Sequence, residues 1–366
     1  MILHDVLRGS LSPRVLDDLY YTIQARKIDR GRNWNRDVTE FVGKYRKVEG
    51  IIPHDIGIED LTAMARLLAK IRIVAKEFLK DTLSRHPLTN TKGSLNIAWE
   101  DLSKNEERRI YGALIRLELY CALFADPDGV YGHTGVWFGQ TSRDDGDDEY
   151  PQSWLIHEMA VFLAKLKEWE VEEIFCIRDF CFRLYDRTFK ACKPEDRIAM
   201  FLERGNDWRR LKPRFWNYLS LSEILMTCGV ELVVEFIAMD TAGIIDSEQR
   251  VSLVRRGRGK RSPFYDYLFL NFLLEGYNNE LKNQWVEGEA GHQPTSDDNE
   301  KSSNAAWQWA ARERCSFRHW TARSSFRSWG YTMWDKTRLE GLGVMNFDPS
   351  YVQKMYSKFG VKGYQN

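Results

Sequence analysis

Two polar clusters in this 366-residue sequence carry side chains that could bind a divalent cation. In the first, Asp126 and Asp128 lie in an Asp-Pro-Asp-Gly turn directly after an apolar segment. Two carboxylates so close together can hold Mg²⁺, a hard cation that prefers oxygen ligands. The same four residues also form a good turn that ends a helix, so a purely structural role is the alternative interpretation.

The second cluster lies about 150 residues further along the chain. Asn279, Asn283 and Glu287 are spaced i, i+4 and i+8, which places them in one row on a helix face. Two amide oxygens and a carboxylate in such a row can chelate a divalent cation. Lys282 projects close by and could bind an anion attached to that metal. A solvated helix end would explain the same residues without chemistry.

A third acidic run, Asp144 to Glu149, competes with the first cluster as a metal-binding segment. It holds more carboxylates, but Gly146 and its polar surroundings favour a solvated loop. If this loop orders over a ligand, it could close the site. The choice between Asp126 with Asp128 and the run at 144–148 therefore stays open at the level of the sequence.

Helices must position these clusters, because apolar residues recur at spacings of three and four along most of the chain. Ser103 and Glu106 form a capping box that predicts a helix up to about residue 125. We find no series of alternating strands, and we predict an all-α single large bundle. The other predicted helices cover residues 13–26, 60–83, 152–167, 170–190, 195–203, 220–239, 264–287 and 304–327.

The chain divides into three predicted parts. Residues 1–50 are polar and basic, and we expect an irregular N-terminal arm or cover on the core. Residues 51–345 form the predicted helical, catalytic domain, and residues 346–366 form a polar C-terminal tail.

Composition excludes several functional classes. Lys+Arg and Asp+Glu are equal at 53 each, so the chain lacks the basic excess of a nucleic-acid-binding protein. Six cysteines without a CxxC pair, and no apolar leader at the N-terminus, favour a reducing, cytoplasmic location. The most apolar stretch, 219–239, is interrupted by Glu223, Glu231 and Glu235, so we predict no membrane span.

The two metal-binding clusters together resemble those of class I terpene cyclases. In these all-α enzymes an acidic motif and a later N-x-x-x-S-x-x-x-E row hold Mg²⁺ on a prenyl diphosphate. The ions promote departure of the diphosphate, and an aromatic-lined cavity stabilises the carbocation. This sequence departs from the usual motifs, because Asp126-Pro-Asp128 is not DDxxD and Asn283 replaces the serine.

Three stretches resemble a large set of filamentous-fungal proteins, most of them without an assigned activity. The stretches are Leu102 to Phe124, Trp169 to Cys176, and Trp329-Gly-Tyr-Thr-Met-Trp-Asp335, and the similarity spans roughly residues 100–345. A subset of this set looks like an atypical class I group, the humulene synthases of fungal meroterpenoid pathways. Those Mg²⁺-dependent, all-α enzymes convert farnesyl diphosphate to a macrocyclic sesquiterpene.

The resemblance implies a terpene cyclase that ionises a prenyl diphosphate, most simply farnesyl diphosphate, to a sesquiterpene such as humulene. Asp126, Asn279 and Lys282 are the predicted catalytic residues, and Lys282, Arg327 and Tyr331 the predicted diphosphate ligands. The predicted Mg²⁺ ligands are Asp126, Asp128, Asn279, Asn283 and Glu287. Candidates for the cavity lining are Tyr120, Phe124, Phe272 and Trp309.

Two other functions fit the same sequence. One is a non-catalytic helical protein-interaction module, with the basic loop Arg255 to Arg261 as a docking patch. The other is a soluble prenyltransferase, which would share the metal chemistry and need a second substrate pocket. We expect a prenyl diphosphate and no nucleic acid as partner, with a homodimer as one option for assembly.

Overall fold

The computed structural model describes residues 2–29, 33–47, 56–84, 86–89, 97–125, 151–190, 229–241, 305–311 and 326–358. Within them 81% of the residues are helical and none forms a strand, so the predicted all-α class is confirmed. The described ranges contain eleven α-helices: α1 (Ile2–Ser10), α2 (Pro13–Ala25), α3 (Trp34–Lys44), α4 (Ile58–Thr82), α5 (Lys104–Phe124), α6 (Pro151–Ala164), α7 (Glu168–Lys190), α8 (Gly229–Thr241), α9 (Ala305–Ala311), α10 (Lys336–Gly341) and α11 (Pro349–Lys358).

Helix α5 is buried around most of its circumference. It packs against α2, α4, α7 and α8. Its sequence explains this position, since long apolar runs cover more than one face of the helix and must all be removed from water. Four charged residues of α5 are buried with them: Glu106, Arg109, Arg116 and Glu118.

The N-terminus of α5 begins where the sequence predicts. The Ser103 hydroxyl accepts a hydrogen bond from the Glu106 N–H at 3.1 Å, and the Glu106 carboxylate accepts one from the Ser103 N–H at 3.0 Å. This pair is the predicted capping box, which is confirmed. The Ser103 hydroxyl also donates to Asp335, so the cap ties α5 to the C-terminal segment.

Ser103→Ala is expected to lower the free energy of unfolding by about 1–2 kcal/mol, because it removes both the cap and the bond to Asp335. Urea unfolding followed by circular dichroism measures the change. Ser103→Thr keeps the hydroxyl and should stay close to the native value. An alanine variant as stable as the native chain would contradict a role for this cap.

Most of the described residues among the first 50 form the helices α1, α2 and α3, which corrects the irregular arm expected from their polar composition. Helix α1 buries Leu7, and α3 buries Val38 and Val42. Each helix carries one short apolar row between charged residues, a pattern too weak to form a stable helix alone. The core supplies the surface on which these rows are buried.

The C-terminal segment 326–358 is also part of the core. Trp329 and Trp334 are fully buried, and the Trp334 indole N–H donates to the Trp329 carbonyl at 2.8 Å. Between them, Gly330 has φ +66 and would place a Cβ 2.8 Å from the Phe78 ring, so the turn requires glycine. The part predicted as a polar tail includes α11, whose Val352 is fully buried.

The predicted helices at 152–167 and 170–190 correspond to α6 and α7, and the one at 220–239 overlaps α8 from Gly229 onward. The predicted helices at 195–203 and 264–287 lie outside the described residues. Among the helices that are described, none has the length and apolar character needed to cross a bilayer. Cys121, Cys176 and Cys181 are buried.

Candidate functional site

Every residue of the predicted metal site falls outside the part of the chain that the structure describes. These are Asp126, Asp128, the acidic run 144–149, Asn279, Lys282, Asn283 and Glu287, together with Phe272 of the predicted lining. The distance between the two clusters therefore stays a prediction. Helix α5 ends at Phe124, and its C-cap Ala125 directly precedes Asp126. The contacts of this end of the helix are therefore part of the described structure.

Aromatic rings surround the C-terminal end of α5. Tyr120 and Phe124 are buried there, with ring centroids 5.0 Å apart, and both contact Phe162 of α6, at 6.0 and 5.8 Å. Tyr45, which follows α3, stacks on Phe162 at 5.1 Å. We call Tyr45, Tyr120, Phe124 and Phe162 the aromatic cluster. Its ring faces are surfaces that favour a positive charge.

The helix end itself adds to this preference. The last carbonyl groups of a helix carry a partial negative charge, which stabilises cations near its C-terminus. Helix α5 ends at Phe124 with an extended Ala125, and Asp126 is the next residue in the sequence. A cation bound by Asp126 and Asp128 would thus gain from the helix end as well as from the two carboxylates.

A group of buried charges, which we call the Arg116 cluster, lies between α2, α5 and α7. The Arg116 guanidinium contacts three carboxylates: Asp18 at 2.9 Å, Glu170 at 2.9 Å and Glu173 at 3.2 Å. Arg46 and Arg14 complete the cluster. Burial of unpaired charges is strongly unfavourable, so these groups stabilise the fold only as a set.

Arg46 reaches this cluster from a strained backbone. It has φ 59 and directs its guanidinium to Glu170 at 2.7 Å and to Asp18 at 3.1 Å. The neighbouring Tyr45 hydroxyl donates to Asp18 at 2.7 Å while its ring stacks on Phe162. Tyr45 therefore joins the Arg116 cluster to the aromatic cluster, and the two form one connected core region.

Two glutamates one turn apart on α7 have opposite electrostatic surroundings. Burial alone would raise the pKa of Glu170, but the guanidinium groups of Arg116, Arg46 and Arg14 hold it well below its ordinary value. For Glu173 burial prevails over the attraction of Arg116 and Arg109, and its pKa rises to about 7. The difference follows from the number of guanidinium groups that each carboxylate contacts.

Arg327 and Tyr331, the predicted diphosphate ligands that the structure describes, lie against α7. The Arg327 guanidinium forms a two-point ion pair with Glu172, at 2.7 and 2.9 Å, and lies 4.6 Å from the Phe175 ring centre. Tyr331 is fully buried beside Phe326, with centroids 5.6 Å apart. Trp309, a predicted lining residue, is buried nearby and donates to the Phe347 carbonyl at 3.1 Å.

The sequence prediction missed the Arg116 cluster. A signal was present, since Arg109 and Arg116 are spaced i, i+7 within an apolar helix, and Glu170 and Glu173 are spaced i, i+3 within another. Opposite charges at fixed positions on two apolar helices indicate buried pairing. In the part of the chain that the structure describes, no group of three or more His, Cys, Asp or Glu side chains is arranged to hold a metal ion.

Comparison with known proteins does not identify a relative. No family model matches the sequence, and neither the curated proteins nor the solved structures give a significant match.

Proposed function

We propose that this protein is a class I terpene cyclase that ionises a prenyl diphosphate, with farnesyl diphosphate as the first substrate to test. The observation that supports it best is the aromatic cluster at the end of α5, one residue before the Asp126-x-Asp128 motif. Aromatic faces beside a carboxylate pair are what a site needs to hold a metal diphosphate next to a carbocation.

In this proposal Asp126 and Asp128 hold one part of a Mg²⁺ site, and Asn279, Asn283 and Glu287 hold the other. Mg²⁺, when bound, would offset the negative charge that develops on the leaving diphosphate.

Lys282, Arg327 and Tyr331 would bind the diphosphate through their own donors. For Arg327 this role requires that it share or exchange its ion pair with Glu172. The allylic C–O bond breaks with its electron pair on the diphosphate, and the cation left behind cyclises among aromatic rings. Loss of one proton from carbon then gives a neutral hydrocarbon, so the products are hydrocarbon, diphosphate and a proton.

The direct test incubates the purified full-length protein with farnesyl diphosphate and Mg²⁺, then measures volatile hydrocarbons and released diphosphate. Geranyl and geranylgeranyl diphosphate are tested in parallel. A sesquiterpene with stoichiometric diphosphate supports the proposal. When isopentenyl diphosphate is added, longer prenyl products indicate the prenyltransferase. The absence of both product and released diphosphate with every substrate rejects both enzymes.

The metal row gives a sharper prediction. Asn279→Ala with Glu287→Ala should lower turnover by about a hundredfold, because charge stabilisation of the leaving group is lost. The matched control is Asn278→Ala with Glu280→Ala, which changes the same residue types in the same segment but off the row. If both double variants kept the native turnover, or if both lost turnover to the same extent, the assignment of the row would be contradicted.

A non-catalytic helical interaction module is the second candidate. The two-point ion pair of Arg327 with Glu172 favours it, because a paired and buried guanidinium is also what a purely structural role requires. The farnesyl diphosphate assay separates the two candidates, since an interaction module releases no diphosphate.

A further inference from the structure

The buried carboxylates of the Arg116 cluster share its guanidinium groups unequally. Glu170 contacts three of them, at 3.1 Å from Arg14, 2.7 Å from Arg46 and 2.9 Å from Arg116, and it also accepts the Lys167 N–H at 2.9 Å. Its negative charge is therefore well compensated.

Asp18 is compensated almost as well. It contacts Arg116 at 2.9 Å and Arg46 at 3.1 Å, and it accepts the Tyr45 hydroxyl at 2.7 Å. Its side chain is 2% exposed, so these partners replace water almost completely.

Glu173 differs from both. Within the described residues its ion-pair contact is with Arg116 at 3.2 Å, the longest of that guanidinium's three, and its side chain is 3% exposed. Arg116 already serves Asp18 and Glu170, so little of its charge is left for a third carboxylate. An ionised Glu173 would be a buried negative charge beside two others.

The other charges around Glu173 do not remove this imbalance. Arg109 of α5 attracts Glu173, but its guanidinium is bound by Asp335 at 2.5 Å and by the Met333 carbonyl at 3.0 Å.

Several charges on α7 and on the other elements that pack against it are paired with other groups. On α7 itself, Glu172 is paired with Arg327. On α4, Asp81 pairs with Arg183 and Arg187, and on α8, Glu231 pairs with Lys70.

We propose that Glu173 is a buried proton switch: the α5–α7 interface is tight while Glu173 carries a proton and weakens when that proton is lost. The inference does not depend on the proposed enzyme activity. It assigns a regulatory property to the core region next to the aromatic cluster, since Tyr45 of that cluster donates a hydrogen bond to Asp18.

The direction of the pH dependence follows from the raised pKa of Glu173, about 7 in the folded protein against 4.5 for an ordinary glutamate. Between these values the folded state holds a proton that the unfolded state has lost. The stabilisation is therefore complete below pH 4.5, declines as the pH rises, and is lost above pH 7. The equilibrium constant for unfolding should rise by about three-hundredfold across this window.

Glu173→Gln tests the switch in the full-length protein. Glutamine keeps a neutral side chain of the same shape at every pH, and its carbonyl can accept the Arg116 bond. We expect the variant to match the native chain at pH 5, to be more stable at pH 8, and to lose most of the slope between them. Urea midpoints at pH 5, 6, 7 and 8 measure this.

Glu40→Gln is the matched control, because Glu40 is an exposed glutamate paired with Lys44 and should leave the native slope unchanged. A Glu173→Gln variant with the native slope, or one less stable than the native chain at pH 8, overturns the proposal.

Two measurements on the native chain do not depend on a variant that folds. In ¹³C NMR of the glutamate side-chain carboxyl carbons, one resonance should titrate near neutral pH. Hydrogen-exchange protection factors in α5 and α7 should fall between pH 6 and pH 8. Side-chain resonances that all titrate at acidic pH, or protection that is independent of pH, would overturn the switch.

Discussion

Arg116→Met is expected to lower the free energy of unfolding by about 4 kcal/mol at pH 7, the typical effect of removing one partner from a buried ion pair. The side chain is 5% exposed and holds Asp18, Glu170 and Glu173 through separate nitrogen atoms. Methionine fills a similar volume but donates no hydrogen bond, so the carboxylates lose their shared partner in a region closed to water. Urea unfolding at neutral pH measures the loss.

Arg108→Met is the control for this prediction. Arg108 lies on the same helix, is only partly buried, and is not a member of the Arg116 cluster. The same substitution there should change the free energy of unfolding by less than about 0.5 kcal/mol. A loss below about 1 kcal/mol for Arg116→Met would mean that water reaches the cluster or that Arg46 takes over its contacts, and the cluster would not be a tightly buried set.

Gly229→Ala should lower the free energy of unfolding by about 3 kcal/mol. Gly229 has φ +69, where a side chain is strained by roughly 1–2 kcal/mol, and a Cβ there would overlap a Glu118 carboxylate oxygen. Glu118 has little freedom to move, since it accepts the Val230 N–H at 2.6 Å and pairs with Arg26 at 2.6 Å. Displacing it uncaps α8, which adds about 1 kcal/mol.

Gly341→Ala is the matched control, because Gly341 lies in α10 without a positive φ, and a Cβ added there would have no heavy atom within 4 Å. Alanine there should be neutral or slightly stabilising. Thermal unfolding of both variants checks the pair. If Gly229→Ala were no more destabilising than Gly341→Ala, Glu118 would not be the fixed cap of α8.

Local sequence patterns predicted the helices whose formation depends on residues close together in the chain. The spacing of apolar residues predicted α4, and the capping box predicted the start of α5 at Ser103, because helical hydrogen bonds and caps join residues only three or four apart. Helices α1 and α3 escaped prediction, since their short apolar rows gain stability only from contact with the rest of the core.

One part of the candidate site depends on a single segment, and another part depends on contacts between distant segments. The spacing of Asn279, Asn283 and Glu287 predicts a row on one helix face, which depends on one segment alone. The Arg116 cluster instead joins α2, α5 and α7, so no single segment contains the information that brings its charges together.

The sequence by itself determined that the chain is helical and where several helices begin, through interactions that span a few residues. The tertiary structure decided which charges are buried together: Arg116 meets Asp18 across 98 residues and Glu173 across 57. The charges within the apolar helices α5 and α7 indicate buried pairing, but the fold decides which distant carboxylates meet Arg116 and whether water is excluded there.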